Sequence, residues 1–600
     1  MSLFEELKRR NVFRVGIAYV ISAWVLLQIV DLVLENVNAP DWVMQVFMLA
    51  LAIGFPLAVF FAWAFEMTPE GVKRESEVDR SQSITPQTGH KMDRSIIIVL
   101  AVALAWFAWE KYSLEESGPR PEPAPPETVQ AQNVPTKSSS STSGNEKSVA
   151  VLPFINMSDD EQNEYFSDGI SEELLNVLVR VEGLRVPSRT SSFTFKGSTK
   201  KLADIGKELQ VDHILEGSVR KAGDRIRVTA QLIDVNTDTH LWSETYTREL
   251  DDIFAVQDEI AHAIVEALKV TLTGAEEKSL TQRSTSNAEA YNKYLLGRHL
   301  WNQRSIESLR AATKPLREAV EMDPDFGQAW AALADAYALI PEYGAGSISE
   351  FVPLGREAAE KALAINPDSA RALTAQAYIK AMYEYDITGA MADYEKAMVL
   401  EPGYATAHQW YGELLAAQRR IDEAMYQLHV ASELDPLAPI IRHVKGWILT
   451  FTDDPEKALK YYLEALELNP HMQATIGNLV DLHIILGQYD LARARSREYA
   501  QLVGFDPMAS LAVIDAVENP ELQNRALMLL SESDAVRDGT TDRAVQLALL
   551  GEYDLALDNL EQAFEAGDPY AIHMNRMSIY DPLRKNPRFQ MLLKKMNLWP

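Results

Sequence analysis

"LEPGYATAHQWYGELL" (residues 400–415) and "LDPLAPIIRHVKGWIL" (434–449) decide the fold of this 600-residue chain. Each opens on a proline turn and runs on with small, aliphatic and aromatic residues at helical spacing. Three further stretches have the same form: "MDPDFGQAWAALADAYAL" (322–339), "INPDSARALTAQAY" (365–378) and "LNPHMQATIGNLVDL" (468–482). Their prolines, Pro324, Pro367, Pro402, Pro436 and Pro470, are 43, 35, 34 and 34 residues apart. Positions inside the unit keep the period. Gly412 and Gly446 are 34 apart and permit close helix contact, and Ala424/Ala458 and Ala431/Ala465 are also 34 apart. Trp330, Leu333, Ala334 and Tyr337 fill the matching first-helix positions of an earlier unit. A helix–turn–helix unit of this length cannot bury its apolar face alone, so neighbours stack into a solenoid.

These residues resemble the tetratricopeptide family over about 288–500. The likeness fades over 500–540, returns at "AVQLALLGEYDLALDNLEQAFEAGD" (544–568), and ends in a basic cap, "IYDPLRKNPRFQMLLKKMNLWP" (579–600). About seven or eight repeats are expected, some degenerate. First-helix residues that point inward would line the concave face: Asp335, Arg371, Thr374, Tyr378, Gln409, Glu413, His443, Trp447 and Asp481. They contain no basic clamp for a peptide carboxylate. The resemblance implies protein or peptide partners, with self-association as the alternative.

Upstream, the texture over 147–273 is mixed. "SVAVLPF" suits a buried strand, and "SEELLNVLVRV" carries apolar residues at helical spacing. "LRVPS" suits a second strand and "KKLADIGKEL" a second helix. From 212 to 250 apolar and polar residues alternate, with breaks at Gly223-Asp224 and at 236–239, which predicts a three-stranded meander. "DDIFAVQDEIAHAIVEALKVTL" (251–272) closes the unit as an amphipathic helix opened by Asp251 and Asp252. Four blocks, "VAVLPFINMSDDEQNEYFSDGISEELLNVL", "LRVPSRTSSFTFKG", "LQVDHILEGSVRKAGDRIRVTAQLID" and "HLWSETYTREL", resemble the TolB N-terminal-like (FlgO-like) domain over about 147–270. That resemblance implies a small α/β envelope module that works by protein contact, without catalysis.

The stretch 148–178 holds seven carboxylates: Asp159, Asp160, Glu161, Glu164, Asp168, Glu172 and Glu173. An EF-hand read from Asp159 fails, because Glu164 stands where glycine is needed and Ile170 where the bidentate glutamate is needed. Asp234, Asn236 and Asp238 fail the same tests at Thr239 and Thr245. No His or Lys at a recognisable spacing makes an acid–base pair. The reading is a solvated acidic loop leading into a helix, with Glu172 and Glu173 favouring its N-terminus.

The N-terminal region reads as a membrane anchor of three transmembrane helices, about 15–34, 42–65 and 95–111. The third is the shortest, apolar over 96–109. Lys8, Arg9, Arg10 and Arg14 precede the first span, and Lys73, Arg74, Arg80, Lys91 and Arg94 lie before the third. The positive-inside rule therefore puts the N-terminus in the cytoplasm and everything after the third span in the periplasm. Residues 113–146, rich in Pro, Ser and Glu, form a disordered tether, and 274–287 a second linker.

Composition narrows the chemistry. The chain has no cysteine, which excludes disulfides, thiolate zinc sites and cysteine nucleophiles. The formal net charge of −29 repels phosphate backbones, so no nucleic-acid partner is expected. No phosphate-cradling loop, dinucleotide fingerprint, HExxH helix or nucleophile elbow is present. No enzyme activity, metal or cofactor is expected. The fold class is multidomain: the three-helix anchor, a small α/β domain at 147–273 and an all-α solenoid with cap at 288–600. The function expected is an inner-membrane adaptor presenting two binding modules to the periplasm. The alternative is a sensor subunit acting through a membrane partner, because similar halves resemble the C-terminal parts of some adenylate cyclases and membrane-bound regulators. The expected cytoplasmic pieces, about 14 and 29 residues, are too short to bury a core, which argues against a cyclase output in this chain.

Overall fold

The computed structural model describes residues 147–598, apart from 159, 182, 271, 274–284, 453 and 534–539. It also describes 65–68, 71–74 and the isolated residues Tyr19, Leu51, Gly54 and Phe55. The chain divides into two compact units, 1–139 and 140–600. In the first, β1 (Phe65–Thr68) pairs antiparallel with β2 (Gly71–Arg74). Tyr19 donates its hydroxyl to the Leu51 carbonyl at 2.8 Å, and its ring meets Phe55 edge-on at 5.7 Å. Phe65, expected as the last residue of the second span, instead opens β1. The rest of the three expected spans lies outside the described residues. Among the described residues no helix is long and apolar enough to cross a membrane.

In the second unit the expected strand at 148–154 forms β3 (Lys147–Val151), followed by the short β4 (Ile155–Asn156). Helix α1 (Glu164–Leu178) leads to β5 (Leu184–Arg185), then α2 (Arg189–Phe193) and α3 (Leu202–Leu209). The meander is β6 (His213–Ala222), β7 (Arg225–Asp234) and β8 (Thr239–Glu249), and α4 (Ile253–Ala267) closes the module. Sheet order is β5-β3-β6-β7-β8, with β4 also on β6; the β3 pairings are parallel and the meander antiparallel. Strand alternation explains the layers. Val149 and Val151 face a core shared with Ile170 and Leu174 of α1 and Ile260 and Ile264 of α4, while Ala150 and Leu152 face Ile205 and Leu209 of α3.

Among the described residues eight helix pairs follow. They are α5/α6 (Ala288–Asn302, Ile306–Met322), α7/α8 (Gly327–Leu339, Ile348–Ile365), α9/α10 (Ala370–Met382, Ile387–Leu400) and α11/α12 (Ala405–Ala417, Ile421–Leu434). After these come α13/α14 (Pro439–Leu449, Pro455–Leu468), α15/α16 (Gln473–Ile485, Tyr489–Val503), α17/α18 (Met508–Glu518, Gln523–Glu532) and α19/α20 (Thr541–Leu549, Tyr553–Ala566). The solenoid thus continues as a helix pair through 508–532, where the sequence period fades. Caps mark its start. Asn287 accepts from the amides of Glu289 and Ala290, and Ser305 and Ser308 form a reciprocal capping box. Gly446 is held to glycine by packing, since a Cβ there would sit 2.7 Å from the Tyr462 ring.

The pairs turn far enough that the end of the chain returns to the beginning. Phe564 of α20 stacks on Tyr385 at 5.3 Å, and the Tyr570 hydroxyl reaches Glu342 at 3.2 Å. Two 3-10 turns, Ala571–Asn575 and Ser578–Leu583, then cross the C-terminal ends of the first helices, and α21 (Pro587–Lys595) ends the fold. Asn575 donates to the Ala417 carbonyl at 2.9 Å, Arg576 to Ile448 at 3.2 Å, and the Ser578 amide to Phe451 at 3.1 Å.

The α/β module covers the opposite ends. The Ser188 amide donates to the Leu434 carbonyl at 3.0 Å, Ser191 bonds Asp435, and Arg180 pairs with Glu401 at 3.5 Å. One continuous apolar core runs from Val149 of β3 to Leu598. A Cβ at Gly169 of α1 would lie 2.8 Å from Leu295 of α5, which shows how closely module and solenoid pack.

Candidate functional site

Wrapped by the helix pairs, covered at one end by the module and at the other by the C-terminal turns, lies a channel of about 2410 Å³. Of the nine expected concave residues, Arg371, Tyr378, Gln409, Glu413, His443, Trp447 and Asp481 line it. Asp335 and Thr374 do not point into it. Asp335 is fully buried beneath the wall, against Arg371 at 3.2 Å and Arg298 at 3.6 Å, and Thr374 returns its hydroxyl to the Ala370 carbonyl at 2.8 Å. Local partners take up both side chains: two guanidiniums draw Asp335 into the packed interior, and the backbone of its own helix satisfies Thr374.

The acidic stretch requires a correction. Asp168, Glu172 and Glu173 are not solvated; they are 3%, 4% and 7% exposed. They lie on the face of α1 that packs on α5. Arg298 donates to Glu172 at 2.8 Å, Asn302 donates to it at 2.8 Å, and Arg189 pairs with it at 2.9 Å. Tyr294 donates to Glu173 at 2.9 Å, while Lys196 at 2.6 Å and His299 at 3.2 Å hold Asp168. Burial alone would raise the Glu172 carboxyl, but Arg298 and Arg189 outweigh it and hold it at about 2. Glu173 moves the other way, raised by burial and by the charge of Glu172. Of the earlier acids, Asp160 lies on the open surface as expected and Glu164 is half-buried beside Lys196, while Asp159 and the side chain of Glu161 lie outside the described residues.

Aromatic side chains dominate the middle of the channel. Tyr378 packs on Trp410 with centroids 4.6 Å apart and donates to Glu342 at 2.5 Å. Trp447 is held by His573 at 4.5 Å and by the Arg576 guanidinium, 4.1 Å from its ring. His443 contacts Thr475 at 3.1 Å, and burial lowers it to about 4, so it is neutral. Acids that form no ion pair among the described residues occupy the same wall. Gln409 donates to Glu413 at 3.1 Å and Gln546 to Asp481 at 3.0 Å. Burial pushes Glu413 up to about 8, with Glu342 adding to it and Arg576 offsetting only part. Asp481 is pushed to about 7 by burial and by Asp542, and Asp542 to about 6 by burial and Asp568. Asp542 lines the channel and is exposed to its water.

The expected residues omitted Glu342, Asp542, Gln546, Tyr570 and Tyr580, all of which line the channel. Glu342 was within reach, standing two helical turns beyond Asp335 on the line of α7. Asp542 was not, because it is 61 residues from Asp481, off the 34-residue period. Among the described residues no group of three or more His, Asp or Glu is placed to hold a metal ion.

Residues 145–263 match a family described as the second domain of HilA/YgeH-like transcriptional regulators. A Rhizobium meliloti protein provisionally named adenylate cyclase 3 is 46% identical over 187 residues, 31% of this chain and 32% of that protein. Transcriptional regulator HilA of Salmonella typhimurium is 23% identical over 355 residues, 58% of this chain and 62% of that protein. The chain thus spans less than two thirds of either relative. Among solved structures it is similar to Pseudomonas aeruginosa pilF (24% identity, 40% of this chain and 97% of that one, TM-score 0.28). It is also similar to YrrB, described as a tetratricopeptide protein with an unusual peptide-binding site (15%, 32% and 93%, TM-score 0.23). At these scores the likeness says nothing about ligands.

Proposed function

We propose that this chain is a non-catalytic protein-interaction scaffold whose channel receives an extended segment of a partner protein. The observation that carries the reading is the channel itself. Small-molecule sites run to roughly 300–1,000 Å³, and this one is about 2410 Å³ with aromatic anchors at its centre. Such anchors are the usual centres of binding energy in protein interfaces. The test is a photo-crosslinking amino acid placed at Thr406 in the wall and at exposed Tyr426 outside it, in the full chain in its native cells. An adduct to another protein from Thr406 alone supports the reading. Adducts from Tyr426 alone overturn it, and adducts only to a second copy of the chain replace it with self-association.

In this proposal the scaffold is tethered to the inner membrane by the apolar runs at 15–34, 42–65 and 95–111 and faces the periplasm. The absence of native cysteine allows a clean topology test. Ser139→Cys should react with an impermeant maleimide in intact cells and Ser83→Cys only after permeabilisation; the reverse would place the solenoid in the cytoplasm. A second reading is favoured by one observation: the chain shares parts with relatives bearing two unrelated outputs, a cyclase and a transcriptional regulator. A part common to different outputs suits an input module, and this chain would then relay ligand binding to a membrane partner. Recovery of a cyclase, kinase or regulator as the cross-linked partner would select that reading over envelope assembly.

A further inference from the structure

We infer that the acidic half of the channel binds the cationic side chains of a basic peptide segment, a lysine- or arginine-rich stretch of a partner protein. This rests on the reading of the channel as a protein-binding site and names the chemistry of what enters it.

The charges that line the channel divide unevenly. Its arginines are Arg180, Arg189, Arg298, Arg304 and Arg371. Four of them are matched to carboxylates: Arg180 to Glu401, Arg189 and Arg298 to Glu172, and Arg371 to Asp335. Arg304 lies flat on the Trp301 ring at 3.6 Å. The acids on the remaining wall, Glu342, Glu413, Asp481 and Asp542, form no ion pair among the described residues, and their bonds are to neutral groups such as Tyr378, Gln409 and Gln546. All four line the same channel, where Glu342 raises the affinity of Glu413 for a proton and Asp542 that of Asp481. Like charges in a partly dry space are costly unless a cation enters.

A second observation, independent of the carboxylates, marks the same place. Tyr580 forms part of the channel wall, is fully buried, and its hydroxyl has no hydrogen-bond partner among the described residues; Gln546 likewise leaves its carbonyl oxygen unpartnered. Asp481 and Asp542 both act on the Tyr580 hydroxyl. Buried polar groups are nearly always satisfied. An ammonium or guanidinium donates to carboxylates and to an amide oxygen, and the amide carbonyl of a peptide accepts from a phenol. Tyr378 and Trp410, which also line the channel, supply aromatic surface for the cations and aliphatic stems of such side chains, while Trp447 is already covered by Arg576. The volume decides between a free polyamine and a peptide, since a polyamine would leave most of the channel empty.

The experiment titrates the full-length protein with short capped peptides alternating serine with lysine, glutamate or glutamine, followed by fluorescence anisotropy, with spermine as a free polyamine. The lysine peptide should bind about tenfold or more tightly than the glutamine peptide, as expected for charge-assisted hydrogen bonds. Asp481→Asn/Asp542→Asn should remove that advantage, and Glu342→Gln/Glu413→Gln should do so independently. Asp160→Asn, on the outer surface, should not, which separates the channel from general attraction to an acidic protein. These amide variants remove charge from a confined space and so keep the fold. Equal binding of the lysine peptide by wild type and both double variants overturns the inference. So does tighter binding of the glutamate or glutamine peptide, or binding of spermine without the peptide. If no peptide binds while Thr406 still cross-links a partner, the basic class falls and the scaffold reading stands; if both fail, both fall.

Discussion

Two groups of acids, one buried at the junction of module and solenoid and one partly open to the channel, meet different fates in this molecule. At the junction of module and solenoid, Asp168, Glu172, Glu173 and Asp335 are enclosed with Lys196, Arg189, Arg298 and Arg371. Along the channel, Glu413 and Asp481 are half-buried with the neutral partners Gln409 and Gln546, and Asp542 is exposed beside Asp568. Burial acts on both in the same direction, raising the carboxyl. At Glu172 two guanidiniums reverse it, to about 2; at Glu413 nothing does, and the group rests at about 8. The first arrangement is complete and holds the architecture together. The second forms no ion pair among the described residues, and the proposal of a cationic partner segment rests on that difference.

The harshest way to break that contrast is to remove the junction's cation. Arg298→Ala leaves Glu172 and Asp335 buried without their shared partner, and should cost about 3–5 kcal/mol. Calorimetry should show a lower transition, and limited proteolysis should release the module from the solenoid. If the loss is under about 1 kcal/mol, the junction is no more than surface pairing.

The opposite operation on the channel should have the opposite sign. Glu413 and Asp481 have folded pKa values raised above those of the unfolded chain, so their favourable contribution is present below the unfolded range, about 4. It is lost as pH rises through about 7 and 8. Glu413→Gln/Asp481→Asn should therefore gain on wild type between pH 5 and pH 8, by roughly 2 kcal/mol once screening by water in the channel is allowed for. Urea titrations at the two pH values would read it, and a loss at pH 8 would mean that a cation already serves these groups. Glu172 predicts the mirror image: its contribution is present above the unfolded range and disappears as pH falls toward about 2.

A smaller effect tests the junction's rim. Lys196→Ala removes one of two partners from Asp168 and leaves His299 in place. About 1 kcal/mol is expected, read as a modest fall in the urea midpoint. Asp160→Asn, in the same acidic stretch but on the open surface, should stay within about 0.5 kcal/mol of wild type.

Much of the fold is legible in the chain because it is periodic. Pro402, Pro436 and Pro470 mark successive repeats, Ala424 and Ala458 are fully buried at equivalent places, and the breaks at Gly223-Asp224 and 236–239 separate the strands of the meander. Seven of nine concave residues line the channel for the same reason, since a repeat copies its inward face. The acidic stretch was misread because solvation is not a local property. Asp160 and Glu172 stand in the same run of sequence, and what separates them is Arg298, 126 residues beyond Glu172.

The sequence by itself therefore determined most of the helices and strands over 147–500, their order, and seven of the nine inward residues named, all of which follow from contacts between near neighbours. Only the tertiary structure decided that the solenoid closes on itself through Tyr570 and Glu342, 228 residues apart, that the module seals one end, and which carboxylates meet a cation. Those outcomes depend on small rotations that accumulate from repeat to repeat, and on pairings between distant side chains that no local period records.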